Sequence, residues 1–150
     1  MTGDSMRRLF LIIVMSLGFS ACDSTPNGPE ITVYKSPTCG CCKKWIAHLE
    51  DNGFDVTAKN VANVNPIKAE NGLPPVLASC HTALVDGYVI EGHVPADDIK
   101  RLLKEKPAIA GLSVPGMPVG SPGMEQAGRK DRYDVVAFDN NNQMSVYSSH

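Results

Sequence analysis

Cys39-Gly40-Cys41-Cys42 sets three thiols within four residues, directly after an extended run, Ile31-Thr-Val-Tyr-Lys35, and at the opening of a helical pattern. A strand that enters a cysteine turn and leaves it as a helix aims backbone N–H groups at the sulfurs. That field lowers thiol pKa toward the reactive, metal-binding thiolate. The feature constrains the chain to a β-turn-α unit and points its chemistry at sulfur.

The start of the chain is not expected to belong to the fold. Arg7-Arg8 precede the apolar run Leu9 to Phe19, followed by Ser20-Ala21-Cys22, the basic, apolar and small-residue parts of a secretory signal over residues 1–21. The apolar run falls short of the ~20 residues a transmembrane helix needs. Phe19-Ser-Ala-Cys22 resembles a bacterial lipobox, whose cysteine becomes a lipidated N-terminus, and Asp23 behind it resembles an inner-membrane retention signal. The resemblance implies a membrane link only through an anchor at Cys22. Residues 22–30, with Ser, Thr, Asn, Gly and two prolines, read as a flexible tether. Residues 31–150 then form one domain with room for a core. The formal net charge is −2 with the basic residues scattered, so no basic stripe suggests nucleic acid.

Of five cysteines, four remain once Cys22 is set aside: Cys39, Cys41, Cys42 and Cys80. An even count in an oxidising compartment suggests two disulfides. Vicinal cysteines resist that reading, because a Cys41–Cys42 bond would close a strained ring. One disulfide with two free thiols stays open.

Further along, Lys43 to Asn52 carries Ile46 and Leu49 on one side and reads as an amphipathic helix ended by Asn52-Gly53. Phe54 to Ala58 alternates like a strand, Asn65-Pro66 opens a short helix to Glu70, and Gly72-Leu-Pro-Pro75 breaks the chain. Val76 to Ala78 is expected to be briefly extended. Thr82 to Val85 and Tyr88 to Ile90, joined by Asp86-Gly87, predict a hairpin. Pro95 starts a helix with Asp97 and Asp98 in its first turn and Ile99, Leu102 and Leu103 as its buried stripe. Ala108 to Gly128, rich in Gly, Pro, Met and Ser, is expected to lack regular structure and to be functional. Tyr133 to Phe138 and Gln143 to Tyr147 predict a closing hairpin that extends the sheet.

The order β-α-β-α-β-β-α, with a cysteine turn after the first strand, resembles the thioredoxin and glutaredoxin fold over about Ile31 to Lys106. The expected class is α/β, a mixed sheet flanked by helices, with an added C-terminal Met/Gly/Pro loop and hairpin. In glutaredoxin-like chains a cis-proline precedes the hairpin-turn glycine by six positions. Here that position falls on His81, so Cys80 should face the other three thiols, and Gly92-His93 falls where glutaredoxins carry a glycine pair beside the active site. The departure argues for ligands over disulfide exchange.

Four cysteines supply soft ligands of the kind that select Cu(I), Zn(II) or iron–sulfur centres. The spacing matches neither paired zinc cysteines nor iron–sulfur patterns. Adjacent thiolates suit a cluster in which each sulfur bridges two metals, which Cu(I) accepts. Met117 and Met124, in two Pro-Gly-Met repeats, tilt the metal toward copper because thioether is a poor zinc ligand; the plain alternative is packing. Met144, in a strand-like run, is expected to pack. His81 and His93 map near the cysteines as ligands or supporting groups. His48, on a polar helix face, is expected to be solvated or hydrogen-bonded, and His150 to be a disordered terminus. Trp45 either shields the site or joins the core. Lys43 and Lys44 read as a solvated face. No Ser-His-Asp arrangement or phosphate loop stands out.

Tyr34-Lys-Ser-Pro-Thr-Cys-Gly-Cys-Cys42, Cys80-His-Thr82, Glu91-Gly-His-Val-Pro95, Pro115-Gly-Met-Pro118 and Ser121-Pro-Gly-Met-Glu125 together resemble the CopG copper-resistance family. The resemblance implies an exported, thioredoxin-like, periplasmic copper-handling protein. It implies Cys39, Cys41, Cys42 and Cys80 as Cu(I) ligands bridging several ions, about four to balance four thiolates. His81, His93, Met117 and Met124 stand in the same motifs as further candidate ligands. Two functions follow: copper sequestration or Cu(I)/Cu(II) conversion as a copper oxidoreductase, with copper ions and other periplasmic copper-handling proteins as partners; or thiol-disulfide exchange by Cys39 and Cys42.

Overall fold

A computed structural model describes residues 28–150; the expected signal segment, the lipobox with Cys22 and the tether up to residue 27 lie outside the described residues. Seven strands form one mixed sheet in the order β2-β1-β3-β4-β5-β6-β7. The elements are β1 (Glu30–Lys35), α1 (Gly40–Asp51), β2 (Asp55–Asn60), α2 (Asn65–Glu70), a 3-10 turn (Pro75–Leu77), β3 (His81–Val85), β4 (Tyr88–Gly92), α3 (Ala96–Glu105), β5 (Gly111–Val114), β6 (Asp134–Phe138) and β7 (Met144–Ser149). The α/β class and the expected order through α3 hold. Among the described residues no helix is long and apolar enough to cross a membrane.

Strand alternation sorts the core into two faces. Ile31, Val33, Ala83, Val85, Ile90, Leu112 and Val114 point to one, where Trp45, Ile46 and Leu49 of α1 and Ile99 and Leu102 of α3 cover them. Leu73, Leu77, Val89 and Phe138 form a smaller cluster on the other. Each fully buried Leu or Ile contributes ~1.5–3 kcal/mol, so the α1/α3 face dominates stability.

Three expectations change. Helix α1 begins at Gly40 rather than Lys43, because Cys39 is its N-cap and the Cys39 Sγ accepts from the Cys42 N–H at 3.3 Å. Val76 and Leu77 are not extended, and only Ala78 is: consecutive prolines at 74 and 75 fix φ for a tight turn, and the Leu77 N–H reaches the Pro74 carbonyl at 2.9 Å. The region after Ala108 is not wholly irregular, since Gly111–Val114 is a strand parallel to β4, buried at all four residues. Any side chain at Gly111 would collide with the Val89 carbonyl, so the two backbones can approach only through glycine. The closing hairpin extends the sheet as expected.

Candidate metal centre

Strand direction brings four distant segments to one end of the sheet. β1 and β3 are antiparallel with Lys35 opposite His81, so the exit of β1 into the cysteine turn lies beside the entry of β3, where Cys80 sits. β4 runs back with Glu91 opposite Thr82, which brings Gly92-His93 to the same end. β5, parallel to β4 with Val114 opposite Gly92, delivers the Pro115–Glu125 loop there too.

The sulfurs meet at that end. Cys41 Sγ lies 3.5 Å from Cys39 Sγ and 3.9 Å from Cys80 Sγ, and Cys42 Sγ lies 3.6 Å from Cys80 Sγ. All four sulfurs are within 4.8 Å of one another. Cys39 and Cys42 are joined as a disulfide with Cα atoms 5.4 Å apart, leaving Cys41 and Cys80 as free thiols. This is the arrangement of one bond and two thiols that the sequence left open.

Two histidines flank Cys80. His81 Nδ1 stands 3.4 Å and His93 Nε2 3.7 Å from its sulfur, and the two rings meet edge-on at 5.1 Å. The His93 Nδ1–H donates to the Pro122 carbonyl at 2.7 Å, an acceptor that fixes the tautomer. In the neutral ring Nε2 therefore presents its lone pair toward Cys80. His81 Nε2 has no hydrogen-bond partner.

Burial governs the protonation of the group. Burial, and then the neighbouring Cys41, pushes the Cys80 thiol up to about 12. Burial, then His93 and Lys68, pulls His81 down to about 3, and burial lowers His93 as well. The pocket disfavours net charge of either sign, holding imidazoles neutral and a thiol protonated; a bound soft cation reverses the penalty on the thiolates.

Comparison with known proteins places this geometry. Two solved structures, both described as copper resistance protein copG, in Form 2 and Form 1, match with 47% sequence identity and TM-scores of 0.79 and 0.78. In each case the match covers 82% of this chain and 98% of that one. The chain belongs to the CopG copper-resistance family. The family described as "Protein of unknown function, DUF411" matches residues 77–124, a span that begins after the CGCC turn and holds Cys80, His81, His93, Met117 and Met124. No curated protein matches the chain.

In this family member the other candidates separate by position. Met124 lines a cleft of ≈370 Å³ with Cys41, Lys44 and Glu125. Met117 lies on a turn after β5, 39% exposed, at the left-handed φ of 48°. Met144 is 49% exposed in the edge strand β7 rather than packed. Trp45 joins the core, fully buried, with its ring 4.4 Å from that of His81. Lys43 and Lys44 are exposed, and His48 Nε2 accepts from the Ala96 N–H at 3.1 Å.

His150 is ordered, contrary to expectation. Its ring stacks on Tyr133 at 5.1 Å, its Nε2 lies 2.7 Å from Asp98 Oδ2, and its N–H reaches the Tyr133 carbonyl at 2.9 Å. Asp98 is buried and also accepts from Ser148 and Arg101. Ser148 and Asp98 both address Nε2 of His150, so the three do not form a nucleophile–base–orienter chain.

Sequence reading gave no role to Lys68 or Glu91, yet they form a buried ion pair on the opposite face of the sheet from His81. The available signal was an acid set between Ile90 and Gly92 in an otherwise apolar strand, a place where an uncompensated charge is too costly to keep.

Proposed function

We propose that this chain is an exported copper-resistance factor whose thioredoxin-like domain binds several Cu(I) ions in one cysteine-thiolate cluster, for sequestration or Cu(I)/Cu(II) conversion. One observation carries the reading: sulfurs from the CGCC turn and from Cys80 all lie within 4.8 Å. Two sulfurs on one tetrahedral ion with bonds near 2.3 Å stand about 3.8 Å apart. The 3.5–3.9 Å separations match that spacing, and four sulfurs so close can each serve more than one ion. Soft donors with a neutral imidazole at the edge favour Cu(I). The name of the related structures, copper resistance protein, supports the same metal.

Full use of the site requires reduction. An external dithiol reduces the Cys39–Cys42 bond by exchange, giving up two electrons and two protons and leaving as its own disulfide, and arriving copper then displaces protons from the two thiols formed. Cys39, Cys41, Cys42 and Cys80 are the core ligands in this reading. His81, His93 and Met124 close the pocket, and Met117 is a peripheral thioether that can meet copper outside it. The segment before residue 28 directs export to the periplasm and anchors the protein by lipid at Cys22, a reading that mass spectrometry of the mature N-terminus tests.

The decisive experiment is an anaerobic titration of the reduced protein with Cu(I) against a competing chelator, counting copper and thiols. Several ions held tightly and lost together in Cys41→Ser support the cluster. A second reading, thiol-disulfide exchange, is favoured by the Cys39–Cys42 bond itself. Negligible copper affinity with ready insulin-disulfide reduction would establish it in place of the first.

A further inference from the structure

Cys80 lies 38 residues beyond Cys42, so nothing local to the CGCC turn fixes where its sulfur stands. The loop before β3 is instead tied to one buried pair. Glu91 is fully buried, and its Oε1 accepts from both Lys68 Nζ and the Ser79 N–H. Its Oε2 accepts from Thr82 Oγ1 at 2.7 Å. Lys68 Nζ donates in turn to Thr82 Oγ1 at 2.8 Å and to the His81 carbonyl at 3.4 Å. The main chain is held immediately before Cys80, at the Ser79 N–H, and immediately after it, at the His81 carbonyl. No sulfur is touched.

We propose that Lys68 and Glu91 are positioning residues that fix Cys80 against the CGCC turn. The proposal rests on the cluster reading for its purpose, though not for its geometry. A buried ion pair is weak evidence for stability, because desolvating two charges consumes most of what their attraction returns. Its hydrogen-bond directions, by contrast, allow one arrangement of the segment they bind. The six-residue α2, which has no side-chain N-cap and contributes only Lys68 to the buried residues, is placed to deliver that one ammonium to the end of the sheet.

The test compares the full-length wild type with Lys68→Met/Glu91→Leu and with Glu91→Gln, which keeps the shape and an acceptor for the Ser79 N–H. Each protein is reduced, freed of metal, and alkylated briefly, with every cysteine read by peptide mass spectrometry; a parallel sample is titrated with Cu(I). The expected result is that alkylation of Cys80 relative to Cys41 rises by about tenfold in the double variant, as access to its sulfur opens. Its near-ultraviolet dichroism should stay native while the copper count falls. An unchanged Cys80-to-Cys41 ratio in a folded double variant, with only the melting temperature altered, overturns the proposal. Where the double variant fails to fold, Glu91→Gln decides it, since the amide loses the charge facing Lys68 and one of the two acceptor oxygens: a raised ratio supports the proposal and the wild-type ratio overturns it. Wild type that binds no copper would end the cluster reading, and the alkylation ratio would still judge the positioning role.

Discussion

The Sγ atoms of Cys42 and Cys80 stand 3.6 Å apart across 38 residues of chain, one fully buried in the first turn of α1 and the other just before β3. Neither segment alone offers a closed set of ligands, so removing Cys80 should do more than subtract one donor. Cys80→Ser is expected to lose the cooperatively held Cu(I) ions and retain at most weak binding at the CGCC turn, while Cys22→Ser keeps the wild-type count. Chelator competition on both variants checks this. A Cys80→Ser protein with the full complement would remove Cys80 from the site.

Copper uptake should release protons. Because burial and Cys41 raise Cys80 to about 12, its thiol stays protonated through the neutral range, and each ion that takes this sulfur displaces that proton. The sign follows directly: apparent Cu(I) affinity rises with pH, by about tenfold per unit for each proton displaced. Affinities measured from pH 6 to pH 8, with weakly buffered proton counting, give the number. A pH-independent affinity would mean that the sulfurs bind copper as ready-made thiolates.

A separate pH effect belongs to His48. Its Nε2 accepts the Ala96 N–H at the start of α3, so the ring must be neutral there, and burial lowers its pKa below 6.5 against the opposing pull of Glu125, Asp97 and Asp51. The unfolded chain then binds more protons than the folded one from its ordinary value down to the lowered one, and stability falls as pH drops through that window. His48→Gln should flatten this part of the profile. Partial exposure keeps the effect well below the ~1.4 kcal/mol per pH unit of a fully buried group. Urea midpoints at pH 7 and pH 5 for both proteins measure it.

What the sequence revealed follows from how local each signal is. The Asp86-Gly87 hairpin and α3 were legible because turn chemistry and a 3.6-residue stripe are written in neighbouring residues. The convergence of Cys80, His81 and His93 on the CGCC turn was legible through the resemblance to glutaredoxin-like chains, whose cis-proline position falls on His81 and whose glycine pair falls on Gly92-His93. β5 was hidden: four buried residues show no alternation, and they sit in a stretch whose Gly and Pro content reads as loop. The Lys68–Glu91 pair spans 23 residues and the Asp98–His150 contact 52; the acid in an apolar strand signals that Glu91 needs a partner, but no local pattern names Lys68 as that partner or announces the second contact. Long-range polar contacts depend on packing, and one chain's pattern does not encode them.

Trp45 is the chain's single tryptophan, and it reports on the site directly. Its Nε1–H donates to the Val94 carbonyl at 2.9 Å while its ring packs on His81. Cu(I) addition should change its fluorescence in step with the copper count. Trp45→Phe should lose that signal and about 1–3 kcal/mol of stability, since the Val94 carbonyl is left buried without its donor. Denaturant melts and fluorescence titration check both.

The loop that carries Met124 packs closely on α1 at Gly123. Gly123 has φ +84°, and a Cβ there would stand 2.8 Å from the Trp45 nitrogen and 3.0 Å from the Cys41 carbonyl oxygen, backbone atoms of a helix that cannot yield. Gly123→Ala must therefore push the loop outward, and it moves two things together. The Pro122 carbonyl leaves His93 Nδ1, releasing the tautomer it fixes, and Met124 leaves the cleft it shares with Cys41. The strained φ alone costs about 1–2 kcal/mol. We expect a lowered melting temperature, faster alkylation of Cys41 in the reduced metal-free protein, and weaker Cu(I) retention against chelator with the CGCC thiols intact. Met124→Leu, which keeps the volume but removes the thioether, separates ligation from closure. Weak retention in both variants assigns Met124 to the metal, whereas loss in Gly123→Ala alone assigns the loop to sealing the pocket.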